Sequence, residues 1–146
     1  MKYLMIVVLV VSVLAGCCQV TEYEEFETIT RLELGRALAR KLGVGIIISV
    51  EKDFYEIVPT AKFLELLADF NPEGSPLDAA NSLVNSSKMT FTPRAAIGVA
   101  LLGPPDNAHY SVVYYASRED LYLVDPINKG LVKWDFIIEE GAWVSF

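Results

Sequence analysis

Apolar residues first fall at helical spacing after residue 30, where Leu34, Ala37, Leu38 and Leu42 share one face until Gly43. Thr30-Arg31-Leu32-Glu33 precedes them with the spacing of a capping box, so a helix is predicted from there. Residues 44–50 are rich in Ile and Val, 51–53 are Glu-Lys-Asp, and 54–58 alternate, which predicts a hairpin. Pro59-Thr60 opens a second helix with Phe63, Leu66, Leu67 and Phe70 on its inner side, closed by Asn71-Pro72-Glu73-Gly74. Ser75-Pro76-Leu77-Asp78 opens a third in three ways: a capping hydroxyl, a proline in the first turn, and an acid where backbone N–H groups are unpaired. That helix is predicted to end near Val84 or Asn85.

Beyond residue 94 the period changes to strands over 95–102, 110–116, 121–124, 131–136 and 142–146, with turns at 103–107, 128–130 and 139–141. Helices first and an antiparallel meander after is an α+β plan in a single domain. Along the last strands Tyr110 and Tyr114 share one face and Tyr115 takes the other, so at least one tyrosine is expected to be exposed, where its ring can stack on a sugar. Packing across strands is the competing use of the same rings.

The amino end changes the picture. Met1-Lys2 is followed by an apolar run over 3–14, the length of a leader and too short to span a bilayer comfortably. The run ends in Leu14-Ala15-Gly16-Cys17, which resembles a bacterial lipobox. The resemblance implies a signal peptide over 1–16 and lipidation of Cys17, with the lack of Asp after the cysteine favouring the outer membrane of a Gram-negative cell. Acyl chains contribute roughly 0.8 kcal/mol per buried methylene, enough for several chains to hold a protein at a membrane. An ordinary cleaved leader is the alternative. Residues 17–29, with Glu22, Glu24, Glu25 and Glu27, read as an acidic tether to a domain over 30–146.

With 146 residues, 53% of them hydrophobic and 21% charged, the chain is long and apolar enough for one core. Nineteen acids against twelve Lys and Arg argue against a nucleic-acid partner. The two cysteines are adjacent at 17 and 18, which leaves no disulfide framework and no Cys-based metal site for the folded body.

The single histidine, His109, opens one predicted strand and Asp125 ends the next, so the two fall near one end of a hairpin. His109 is either a general base or a structural hydrogen-bonding group, and Asp125 either orients an imidazole or opens a turn before Pro126. Ser75 is a helix cap or a nucleophile. Asn107 and Tyr110, on either side of His109, are candidate ligand contacts. Asp106 and Asn107 beside His109 and Asp125 make at most a weak oxygen-ligand set, and neither a metal nor a cofactor is implied.

A helix start, a strand opening with His and a strand ending in Asp-Pro is similar to the papain-like and transglutaminase-like cysteine enzyme superfamily, and most to its small agglutinin-type papain-like domains. The matching pieces are Asp78-Ala79-Ala80, Ile97-Gly98-Val99, Ala108-His109 and Val124-Asp125-Pro126, within roughly residues 54–130. The family's cysteine would fall near Ser75 or Pro76, and neither is a thiol. Such enzymes depend on a thiolate at a helix amino terminus, so the resemblance implies an inherited fold without its original chemistry. Together with the lipobox-like segment, it points to a membrane-held lipoprotein of the cell envelope with a non-catalytic binding domain for a peptide, a glycan or another envelope protein. Two other readings stay open: a hydrolase or acyltransferase using Ser75, His109 and Asp125, and a structural envelope subunit joined through a sheet edge.

Overall fold

A computed structural model describes residues 25–41, 47–103, 109–117, 120–134 and 142–146. The elements run β1 (Glu27–Thr30), α1 (Arg31–Lys41), β2 (Ile47–Ser49), β3 (Phe54–Ile57), α2 (Thr60–Asp69), α3 (Pro76–Thr90), β4 (Ile97–Leu102), β5 (His109–Ser117), β6 (Asp120–Val124), β7 (Leu131–Lys133) and β8 (Ala142–Ser145). A six-stranded sheet has the order β2-β8-β4-β5-β6-β7, and β1 pairs with β3 in a separate ribbon. All neighbours in the large sheet are antiparallel except β2 and β8, which run parallel.

This corrects the expected plan of helices followed by an antiparallel sheet. The architecture is dominated by a mixed sheet, and strands lie before and between the helices. The predicted hairpin of 44–50 with 54–58 does not form, because the two segments leave their turn for different partners: β2 pairs with β8 and β3 with β1. The Tyr55 hydroxyl accepts from the N–H groups of Glu51 (3.2 Å) and Lys52 (3.1 Å), so a side chain from β3, and not a cross-strand ladder, satisfies the turn. Residues 27–29, expected in the tether, belong to the strand β1, with Ile29 buried.

The helix starts follow the sequence. Thr30 Oγ1 accepts from the Glu33 N–H while Glu33 Oε1 accepts from the Thr30 N–H, both at 3.1 Å, so the capping box opens α1. At α3 the Ser75 hydroxyl accepts from Asp78 N–H at 3.2 Å and Asp78 Oδ2 accepts from Ser75 N–H at 3.1 Å. Gly74, at φ 80°, turns the chain into this cap; a Cβ there would lie 2.7 Å from Asp78 Oδ2. The third helix runs past Asn85 to Thr90, since the buried Ser87 hydroxyl donates back to the Leu83 carbonyl at 2.9 Å instead of breaking the ladder.

Both faces of the large sheet are covered. Phe63, Leu67, Leu83 and Val84 of α2 and α3 meet Ile97, Val112, Tyr114 and Val124 on one face. On the other, Leu34 and Leu38 of α1, Tyr55 of β3 and Trp134 meet Ala100, Val113, Tyr115 and Val144. Tyr114 and Tyr115 are therefore both buried, and the rings left partly exposed on these strands are Tyr110 and Tyr122. The Tyr114 ring stacks on Phe63 at 4.3 Å and its hydroxyl donates to the Val58 carbonyl, which fixes α2 against β5. At Gly98 an added Cβ would lie 2.4 Å from the Ser145 carbonyl oxygen, so only glycine lets β8 approach β4 here. Among the described residues no helix is long and apolar enough to cross a membrane.

Candidate functional site

The antiparallel register of β5 and β6 pairs Val112 with Val124, which brings the start of β5 and the residues after β6 to one end of the sheet. The amino end of α3 packs at the same end. Together they form a cleft of about 640 Å³ lined by Ser75, Pro76, Leu77, His109, Tyr110, Ser111, Asp125, Pro126, Ile127 and Asn128. All three residues singled out for catalysis thus border one cleft, together with Tyr110. Cys17 and Asn107 lie outside the described residues.

Their hydrogen bonds point elsewhere than to each other. Asp125 Oδ1 accepts from the N–H groups of Ile127 (2.9 Å) and Asn128 (3.1 Å), and Oδ2 accepts from Asn128 Nδ2 (3.0 Å). Its own carbonyl accepts from Lys129 N–H at 2.8 Å and its N–H donates to Gly130 at 2.9 Å, so both ends of the residue belong to one turn. Lys129, at φ 62°, completes that turn and donates from Nζ to the Ala68 carbonyl at 3.0 Å, tying it to the end of α2. Burial alone would raise the Asp125 carboxyl, but the donors from Asn128 and Ile127 outweigh it and hold the group below its ordinary range.

Ser75 is exposed, and its oxygen takes the Asp78 N–H of the cap. The exposed His109 side chain makes no hydrogen bond among the described residues, to Ser75, to Asp125 or to any other. The arrangement is a recess with an imidazole, two hydroxyls and an amide at its rim, a half-buried tyrosine, and an apolar wall of Pro76, Leu77 and Ile127. A nucleophile activated by an oriented imidazole is not assembled in it. Among the described residues no three His, Cys, Asp or Glu gather as metal ligands.

The sequence reading missed Ser111, Ile127 and Asn128. The alternation that put Tyr110 on one face put Ser111 on the other, and nothing in it showed that the end of β5 stays open on both sides. Asn128 was legible only as turn material; its side chain instead braces the carboxylate at the rim.

No protein-family model matches the chain, and no curated protein does. The solved structures that share its architecture include two of closely similar TM-score. One is a complex of PSL1a with E64, at 9% identity and a TM-score of 0.62, covering 82% of this chain and 50% of that one. The other is Polyporus squamosus lectin bound to the human-type influenza-binding epitope Neu5Aca2-6Galb1-4GlcNAc, at 10% identity and a TM-score of 0.60, covering 80% and 49%. The chain shares the fold of these two structures over about half of their length. This overturns the expected papain-like or transglutaminase-like cysteine-enzyme domain, and with it the description as a degenerate enzyme, because the structures that share the sheet-rich architecture are those of a lectin. The motifs behind that expectation were short segments of a strand, a helix start and a turn, each of which forms here for its own local reasons. The chain spans about half the length of the lectin structures it matches.

Proposed function

We propose that the chain is a non-catalytic binding domain whose cleft at the open end of β5 and β6 takes a carbohydrate. One observation carries this reading: the cleft offers a tyrosine and an apolar wall beside hydroxyl and amide groups, while Asp125 is held within its own turn and Ser75 within the helix cap. Sugars present C–H faces that settle on rings and hydroxyls that pair with such groups. The lectin-type fold supports the same choice over the peptide and envelope-protein ligands that the sequence also allowed. The test is titration of a panel of neutral and acidic oligosaccharides into the protein, followed by backbone amide shifts. Saturable shifts at Tyr110, Ser111 and Asn128 that vanish in Tyr110→Ala are expected; shifts unaffected by that change, or none with any glycan, would reject the reading.

The lipobox-like Leu14-Ala15-Gly16-Cys17 supports a second part of the proposal, that the domain is displayed at the cell envelope on an acylated Cys17. Acyl label should enter the wild-type chain and be lost in Cys17→Ala. Equal labelling of both would refute the anchor.

A hydrolase or acyltransferase keeps one supporting observation, that Ser75, His109 and Asp125 border the same cleft. It would require Ser75 to release its cap and Asp125 to leave its turn. Ester or amide turnover that disappears in both Ser75→Ala and His109→Ala would favour it.

A further inference from the structure

A second cavity, away from the cleft, lies between α1 and the β1–β3 ribbon, with Tyr115 at its floor and a volume of about 270 Å³. Arg36 and Arg40 line it, one helical turn apart on α1. The two other described arginines have partners: Arg31 donates to the Glu51 carbonyl at 3.2 Å and faces Asp53 at 3.9 Å, while Arg94 donates to the Phe54 carbonyl at 3.3 Å and lies 4.2 Å over the Phe54 ring. Arg36 and Arg40 have neither a hydrogen bond nor an ion pair among the described residues. Glu33, on the preceding turn, has its Oε1 in the capping box with the N–H and hydroxyl of Thr30, both at 3.1 Å. In a chain with nineteen acids and twelve bases, two exposed arginines with no partner among the described residues thus line one cavity.

We infer that this cavity is a binding site for a small molecule carrying a carboxylate or phosphate group. Side chains four residues apart on a helix are neighbours on one face, so two guanidinium groups so placed can grip one oxyanion between them, each offering a planar fork of donors, and an anion there also relieves their mutual repulsion. Glu27 on the β1 wall and Glu33 in the first turn of α1 also line the cavity, so two carboxylates flank the two guanidinium groups. Such a lining suits a ligand whose oxyanion lies against Arg36 and Arg40 and whose hydroxyl or ammonium groups lie toward Glu27. The volume admits about one ring, since drug-sized pockets begin near 300 Å³. Nothing in this inference depends on the carbohydrate reading of the cleft.

The probes are inorganic phosphate and glucuronate, with glucose as the uncharged control, titrated into the full chain while the side-chain Nε–H signals of Arg36 and Arg40 are followed. Both anions should shift those signals saturably and compete with each other, and glucose should leave them in place. Arg36→Gln with Arg40→Gln should weaken binding at least about tenfold, and the double Lys variant, which keeps charge but not the fork, should fall between. Tyr110→Ala should leave this binding unchanged, which separates it from the cleft. Absence of a saturable shift with either anion, or equal affinity in the wild type and a folded double Gln variant, would overturn the inference.

Discussion

The two faces of the large sheet are covered by different means. On the α2–α3 face, the covering residues lie close together in the chain, from Val58 to Val84, and each helix brings its own start signal and its own apolar stripe. On the α1 face, the core is collected from Ile29, Leu38, Tyr55, Trp134 and Val144, residues drawn from almost the whole described chain. The first face is decided by local pattern, whereas the second is decided by which distant strands pair, and loop closure over such distances is fixed only when the whole core forms.

The largest expected effect lies on the collected face. Trp134→Ala removes a fully buried indole from a cluster that includes residues of α1, β1, β3, β4, β5, β6 and β8, and should cost about 3–5 kcal/mol in denaturant unfolding. A loss below about 1 kcal/mol would mean that this face is not the cooperative core described here. On the local face, Tyr114→Phe keeps the stack on Phe63 but leaves the Val58 carbonyl without its donor, for an expected loss of about 1–3 kcal/mol. Ser75→Ala should cost about 1 kcal/mol through the α3 cap, with no change in the fold. An unaltered melting temperature would instead separate Ser75 from helix capping.

Two titrations sharpen the contrast at smaller scale. The Asp125 carboxyl is held low by its turn, so it stabilises the fold above the ordinary aspartate range, near pH 4, and that contribution is lost as pH falls through the lowered folded value. Urea midpoints of wild type and Asp125→Asn should therefore differ at pH 7 and converge in acid. Lys88 at the end of α3 is lowered by burial first and by the Lys52 charge second. Its charged form is disfavoured in the fold, a cost present at neutral pH and relieved as pH rises through the lowered value toward the free-lysine range. Lys88→Met should raise the urea midpoint slightly at pH 7, with a smaller gain above pH 10.

What was legible in the sequence follows the same division. The caps at Thr30 and Ser75, the inner faces of α1 and α2, and the strands β4 to β6 were readable because each depends on residues within a turn or a neighbouring strand. The strand β1 was not, since a single buried residue, Ile29, follows a run of glutamates and repays its pairing only once β3 is in place. The false hairpin has the same origin: Glu51-Lys52-Asp53 carries turn chemistry, but β8 and β1 compete for the flanking strands and win. For the cleft, hairpin geometry was enough to bring His109 and Asp125 to one end of the sheet, whereas Ser75 reaches it only through the packing of α3. Whether the carboxylate would face the imidazole or its own turn depended on Asn128, and short motifs carry no such information.

The measurement that bears most directly on the cleft is the amide-shift titration with oligosaccharides, run alongside product analysis of the same samples. Saturation at Tyr110, Ser111 and Asn128 with the glycan recovered intact is the expected result. Glycan cleaved or transferred by the wild type and spared by Ser75→Ala would contradict it.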